Sequence, residues 1–124
     1  MILVDTSIWI DHLRRSDHVL VELLERSAVL AHPFVIGEIA CGSLKDRSTV
    51  IGLLQDLPAA VLARDEEVLR FIGDQALHGK GIGYIDAHLL AAVALTQGAR
   101  LWTRDRRLRG IAQALGCDHS PSRH

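Results

Sequence analysis

The feature that most constrains this chain is its opening stretch, Met1-Ile2-Leu3-Val4-Asp5-Thr6-Ser7. Ile2, Leu3 and Val4 form an unbroken apolar run with two β-branched members. Such a run fits a strand buried on both faces, as in a parallel sheet, better than a half-exposed one. Asp5 follows at once, then two small hydroxyl residues, and Ile8-Trp9-Ile10 begins a helical pattern. This order puts Asp5 at the carboxyl end of a central strand and beside the start of a helix, where open α/β sheets form their ligand crevices. Asp is also a favoured N-cap residue. The stretch alone therefore leaves Asp5 readable equally as a cap or as a site residue.

The remaining pattern alternates. Thr6 to Arg15 and Asp17 to Arg26 read as helices, the second with Val19, Leu20, Leu23 and Leu24 on one face. Ala28 to Ala31 reads as a second strand. Pro33 can open a third helix, where its missing N–H does no harm, and that helix runs towards Leu44. Arg47 to Leu57 is a fourth helical pattern, stopped by Pro58. Ala59 to Leu62 is a strand candidate, and Asp65 to Leu77 is helical. His78 to Gly83 is a glycine-rich loop. Tyr84 to Gln97 is a helix rich in Ala and Leu, with Gly98 as its stop. Ala99 to Trp102 is a further strand, and Asp105 to Leu115 is the last long helix, stopped by Gly116. Cys117 to His119 can add a short strand, and Ser120 onward is a loose tail. Strands alternating with helices predict an α/β protein with a mainly parallel sheet covered on both faces.

A length of 124 residues fits one domain, residues 1–124, and 48% hydrophobic content supports one core. With only 4% aromatic residues that core must be mainly aliphatic. The formal net charge of -1 excludes a strongly basic nucleic-acid module but leaves room for a local basic patch. Cys41 and Cys117 lie in no CxxC pattern and read as two reduced thiols. Asp5 interrupts the N-terminal apolar run too early for a signal peptide, and no apolar stretch is long enough to span a bilayer. The expectation is a soluble, cytoplasmic protein with no membrane partner.

The acids carry the functional information. Asp5 is the only charged residue before Asp11, Glu38 the only one between His32 and Lys45, and Asp86 the only one between Lys80 and Arg100. Helical spacing puts Asp86 on one face with Leu89, Leu90 and Val93, and Glu38 with Phe34, Val35 and Cys41. A buried carboxylate without a partner costs several kcal/mol, ~3 or more. No Lys or Arg lies in these segments to pair with them. One divalent cation shared among the acids would relieve all of them, and oxygen-only ligation suits Mg²⁺ or Mn²⁺. Asp105, reached from the strand Arg100-Leu101-Trp102 through Thr103-Arg104, repeats the arrangement around Asp5. Taken singly, Asp105 can be an N-cap, and Glu38 and Asp86 can pair with distant arginines. A shared site explains all of them together.

Asp5-Thr6-Ser7 after Ile2-Leu3-Val4, Glu38 in Val35-Ile36-Gly37-Glu38-Ile39, Asp86-Ala87-His88 opening an Ala-rich helix, and Thr103-Arg104-Asp105 after a strand occur here as an ordered set. In this the chain resembles the PIN-domain ribonucleases, and more narrowly the VapC toxins of bacterial toxin–antitoxin pairs. The likeness runs from Met1 to about Gly116. It implies a three-layer α/β/α sandwich and a Mg²⁺- or Mn²⁺-dependent endoribonuclease. Its acids map onto Asp5, Glu38, Asp86 and Asp105, with Ser7 and Thr103 as polar supports. It implies cleavage that leaves a 3′-hydroxyl and a 5′-phosphate. It also implies homodimers and a cognate VapB-like antitoxin that lays a segment across the site. One departure is Leu108, where such proteins often carry an aromatic residue.

Arg100, Arg104, Arg106, Arg107 and Arg109 cluster around Asp105. They can form a solvated helix face or contact RNA phosphates. Arg104 and Arg106, which flank the acid, are the residues expected to bind RNA. Other chemistries fit less well. The seven histidines show no zinc-ligand spacing, and the 79–83 glycines lack a G-x-G-x-x-G pattern. A haloacid-dehalogenase-like phosphatase would want Asp-x-Asp where Ser7 stands. A receiver domain would want a late strand-end Lys, and none follows Lys80. A non-catalytic acidic module that accepts a partner's arginine is the non-enzymatic alternative.

Overall fold

The structure, a computed structural model, describes residues 1–121. Three parallel strands form its sheet in the order β2-β1-β3. They are β1 (Ile2–Val4), β2 (Val29–Leu30) and β3 (Arg100–Trp102). Strand β1 is central, with Ile2 opposite Val29 on one side and opposite Arg100 on the other. All three of its residues are buried, Leu3 and Val4 completely, as its unbroken apolar run requires. The strand candidates at 59–62 and 117–119 shrink to single parallel bridges, Ala31 with Ala59 and Leu101 with Asp118. Outside Ala60, the 59–62 segment is exposed, including Val61 and Leu62. It lies at the sheet margin without an apolar face to bury.

Helices α1 (Thr6–Arg14), α2 (His18–Glu25), α3 (Pro33–Ala40) and α4 (Arg47–Gln55) fill the first half. Helices α5 (Asp65–Asp74), α6 (Tyr84–Leu95) and α7 (Arg106–Ala114) fill the second. Pro33 sits in the first turn of α3 and Gly116 takes positive φ after α7, both as the sequence indicates; α6 ends at Leu95, short of the expected stop at Gly98, because Thr96 caps it with its hydroxyl on the Ala92 carbonyl. Helix α1 packs on α3, α3 on α4, α5 on α6, and α6 against β3. Every residue of α6 from Ala87 to Val93 is buried. The core is aliphatic apart from Trp9, Trp102 and two buried histidines, His32 and His88. Leu108 is fully buried in it, so the leucine that replaces an aromatic fills its site. Of the tail expected from Ser120, residues 122–124 lie outside the described residues.

The chain goes from β1 to β2 on one side of the sheet and later returns to β3 on the other. The switch point lies between the carboxyl ends of β1 and β3, the place where open parallel sheets bind ligands. Asp5 and Thr103 are the residues that follow those two ends.

Candidate active site

Asp5 is the buried centre of the site, 7% exposed. It caps α1, with Oδ1 accepting the Thr6 N–H at 2.8 Å. The cap uses one oxygen. The other, Oδ2, accepts two hydroxyls, from Thr103 at 2.7 Å and from Ser7 at 3.0 Å. The direction of those bonds is fixed from behind. Thr103 Oγ1 accepts the Asp105 N–H at 3.0 Å, and Ser7 Oγ accepts the Arg104 N–H at 3.2 Å. Each hydroxyl accepts a hydrogen bond from a backbone N–H and donates one to Asp5. In all three contacts the Asp5 carboxyl is the acceptor. Ser7 and Thr103 thus stand where supports beside Asp5 are expected.

The other three acids stand around Asp5 but are not buried as the helical-face argument predicts. Glu38 and Asp105 are exposed, and Asp86 is half-buried. For Glu38 the reason is the turn of the helix: α3 buries Val35 and Ile39, while Glu38 and Cys41 fall on the open side. Its Oε1 accepts the Thr6 hydroxyl at 2.9 Å. Thr6 therefore links Glu38 to Asp5, donating its hydroxyl to one and its N–H to the other, a role the sequence offers only as a hydroxyl beside the acid. Asp105 caps α7 through the Leu108 N–H at 2.9 Å, at the point where the chain emerges from the sheet. Asp86 stands in the first turn of α6, and its Oδ2 accepts the Gly83 N–H at 3.4 Å.

Charge couples these groups. Burial pushes the Asp86 carboxyl above its ordinary value, and the negative charges of Asp5, Asp105 and Glu38 push it further, against the Gly83 hydrogen bond. Among the described residues, none of the four acids forms an ion pair with Lys, Arg or His. The donor set is oxygen only, which fits a hard divalent cation. Among the described residues, no three His, Cys, Asp or Glu side chains are close enough to hold one ion together. The arrangement therefore fits a cation that keeps several of its waters, as Mg²⁺ does, with acids acting partly through them.

Arg104 does not face the acids. Its Nη1 and Nη2 donate to Asp11 Oδ2 at 2.6 Å and Asp17 Oδ2 at 2.7 Å. Both partners lie far away in sequence, and no local pattern signals them. Arg106 and Arg107, by contrast, line a trough with Lys80, Leu77 and Ile111. Among the described residues none of those three cations is ion-paired. The Arg107 side chain lies over Gly81, where an added Cβ would meet its Nη1 at 2.8 Å.

His32 and His88 are core histidines, 0% and 2% exposed. His32 caps α3 through the Phe34 N–H, and His88 Nε2 faces Asp65 Oδ1 at 3.2 Å. Burial and the neighbouring His88 lower the His32 pKa to about 4. Cys41 and Cys117 are both free thiols, and among the described residues no helix is long and apolar enough to cross a membrane.

Comparison with known proteins agrees with this geometry. The family model described as PIN domain matches residues 2–114. Ribonuclease VapC32 of Mycobacterium tuberculosis, strain CDC 1551 / Oshkosh, is 51% identical over 116 residues, covering 94% of each chain. The protein of the same name from strain ATCC 25618 / H37Rv matches with the same identity and coverage. A dehalogenase-like site has no support, since the match is to the PIN domain and Ser7 serves as a donor to Asp5. The chain belongs to the PIN-domain family, and within it is similar to the VapC ribonucleases.

Proposed function

We propose that this chain, as one PIN domain over residues 1–124, is a Mg²⁺- or Mn²⁺-dependent endoribonuclease and the toxin of a toxin–antitoxin pair. The observation that carries this reading is the Asp5 carboxylate. It is buried, held by three donors, and surrounded by acids that, among the described residues, lack a cationic partner. Such an array repels RNA unless a cation intervenes. A divalent ion held there would supply an activated water and stabilisation of the charge developing on the phosphate. Asp5, Glu38, Asp86 and Asp105 are the residues that would hold it.

The protein's own part is placement. Ser7, Thr103 and the Thr6 N–H fix Asp5, while the Thr6 hydroxyl fixes Glu38. The N-terminal turns of α6 and α7 bring Asp86 and Asp105. RNA reaches the acids along the trough of Lys80, Arg106 and Arg107, whose free positive charge offsets the acidic mouth. A cleft of about 550 Å³ opens on the other flank, beside Glu38, with Ile10, Leu13 and Ile39 in its walls and Arg14 and Lys45 at its rim. An apolar segment of a VapB-like antitoxin suits it, and an arginine from that segment suits the acids. The working form is a cytoplasmic homodimer.

Sequencing RNA ends from cells that express the chain tests this reading. New 5′-phosphate ends at defined positions should appear with the parent protein and be absent with Asp5→Asn. Co-expression of the cognate antitoxin should suppress them. An end profile identical for the parent and Asp5→Asn would refute the assignment.

A further inference from the structure

The turn that follows β3 is gripped in a way the acids alone do not require. Arg104 reaches α1 twice. Its backbone N–H donates to Ser7 Oγ, and its guanidinium donates to Asp11 Oδ2 at 2.6 Å. Ser7 and Asp11 are one helical turn apart and share a face, so the two contacts fix the turn against α1 in one register. The second guanidinium nitrogen donates to Asp17 Oδ2 at 2.7 Å. Asp17 is itself immobilised as the cap of α2, accepting the Val19 and Leu20 N–H groups through Oδ1. The guanidinium carbon lies 5.8 Å from the centre of the Trp102 ring, on the residue that ends β3. Between these anchors lie the two hydroxyls that donate to Asp5 Oδ2.

We propose that Arg104 is a positioning residue: clamped between Asp11 and Asp17, it holds the 103–105 turn so that Ser7 and Thr103 present Asp5 to the metal. The inference rests on the proposed metal-dependent reaction. It differs from a phosphate contact in direction: both terminal guanidinium nitrogens donate to carboxylates of the chain itself. Ion pairs this exposed add little to global stability, so the clamp acts locally on the turn. Loss of an outer-shell partner that orients a ligand costs about 10–100-fold in metal affinity or activity.

The test compares Arg104→Ala, Arg104→Lys, Asp11→Asn and the double variant Arg104→Ala with Asp11→Asn in the full chain. Three readouts are taken: RNA cleavage, Mn²⁺ binding by calorimetry, and amide hydrogen exchange at residues 103–105. Arg104→Ala should lower kcat and Mn²⁺ affinity about tenfold or more, with the KM for RNA unchanged. Asp11→Asn should move the same quantities in the same direction. The double variant should be no worse than Arg104→Ala, because without the guanidinium residue 11 has no ion pair left to lose. Arg104→Lys, which can hold one carboxylate, should recover part of the loss. Amides 103–105 should exchange faster in Arg104→Ala and Asp11→Asn. A raised KM and a salt slope flattened by about 0.7 in Arg104→Ala, with Asp11→Asn like the parent, would make Arg104 a phosphate ligand and overturn the clamp. Unchanged Mn²⁺ affinity and amide exchange in both single variants would also overturn it. Those two readouts need no RNA, so a parent that binds Mn²⁺ without cleaving RNA would count against the proposed function and leave the clamp to be judged on its own.

Discussion

At Asp5 a cap and a ligand-presenting group occupy one side chain. Oδ1 serves the start of α1, and Oδ2 collects the Ser7 and Thr103 hydroxyls. Thr103→Val keeps the shape and removes the shorter of the two hydroxyl bonds. It should cost about 1 kcal/mol of stability and lower Mn²⁺ affinity about tenfold, read by urea titration and calorimetry. Glu38 behaves differently because it is exposed. Glu38→Gln keeps an oxygen for Thr6, so stability should stay within about 0.5 kcal/mol of the parent, while RNA cleavage falls sharply. The sequence makes Asp5 legible, since an acid directly after a buried apolar strand has few places to go. It does not make Glu38's exposure legible. An isolated acid in an apolar segment looks buried until the rotation of α3 about Val35 and Ile39 is known. The ion pairs of Arg104 are not legible either: its partners, Asp11 and Asp17, lie 93 and 87 residues away.

At the scale of elements, the glycine-rich loop and α7 are fitted to each other. Gly81 has φ +81°, and its missing side chain makes room for Arg107. Gly81→Ala would strain the backbone and push Arg107 aside. It should cost about 1–2 kcal/mol and weaken RNA binding through the displaced cation, measured by urea denaturation and filter binding. The helices were legible as elements: Pro33 and Gly116 stand where the boundaries fall, whereas α6 ends at Leu95, capped by Thr96, before Gly98 is reached. The marginal strands were not. Ala59 to Leu62 and Cys117 to His119 have strand-like composition, but each meets the sheet at one residue pair. Whether such a segment extends its pairing depends on what covers the sheet edge, which composition does not encode.

For the molecule as a whole, the buried histidine pair sets a pH limit. Unfolded His32 binds a proton below its ordinary value of 6.5, whereas in the folded chain it resists protonation down to about 4. The unfolded state therefore takes up more protons in that interval, and folding stability falls with pH. The stabilising contribution is complete above pH 6.5 and declines towards pH 4, by up to about 3 kcal/mol. His32→Asn, which retains an acceptor for the Phe34 N–H, should remove most of that loss. Urea unfolding at pH 7 and pH 4.5 for both proteins measures it, and equal pH dependence would show that His32 is not the group responsible. The alternating strand and helix pattern made the α/β class legible at this scale. The switch point between β1 and β3 was not, because strand order depends on long-range packing.

The central claim is that the acids grouped around Asp5 cleave RNA only with a divalent cation. Cleavage of RNA by the purified protein, with Mg²⁺ or Mn²⁺ and with excess chelator, tests it most directly when Asp5→Asn is run alongside. The parent should cleave with the metal and stop in chelator, and Asp5→Asn should be at least about a hundredfold slower, beyond the loss of a supporting partner alone. Full cleavage in excess chelator, or Asp5→Asn as active as the parent, would contradict the account.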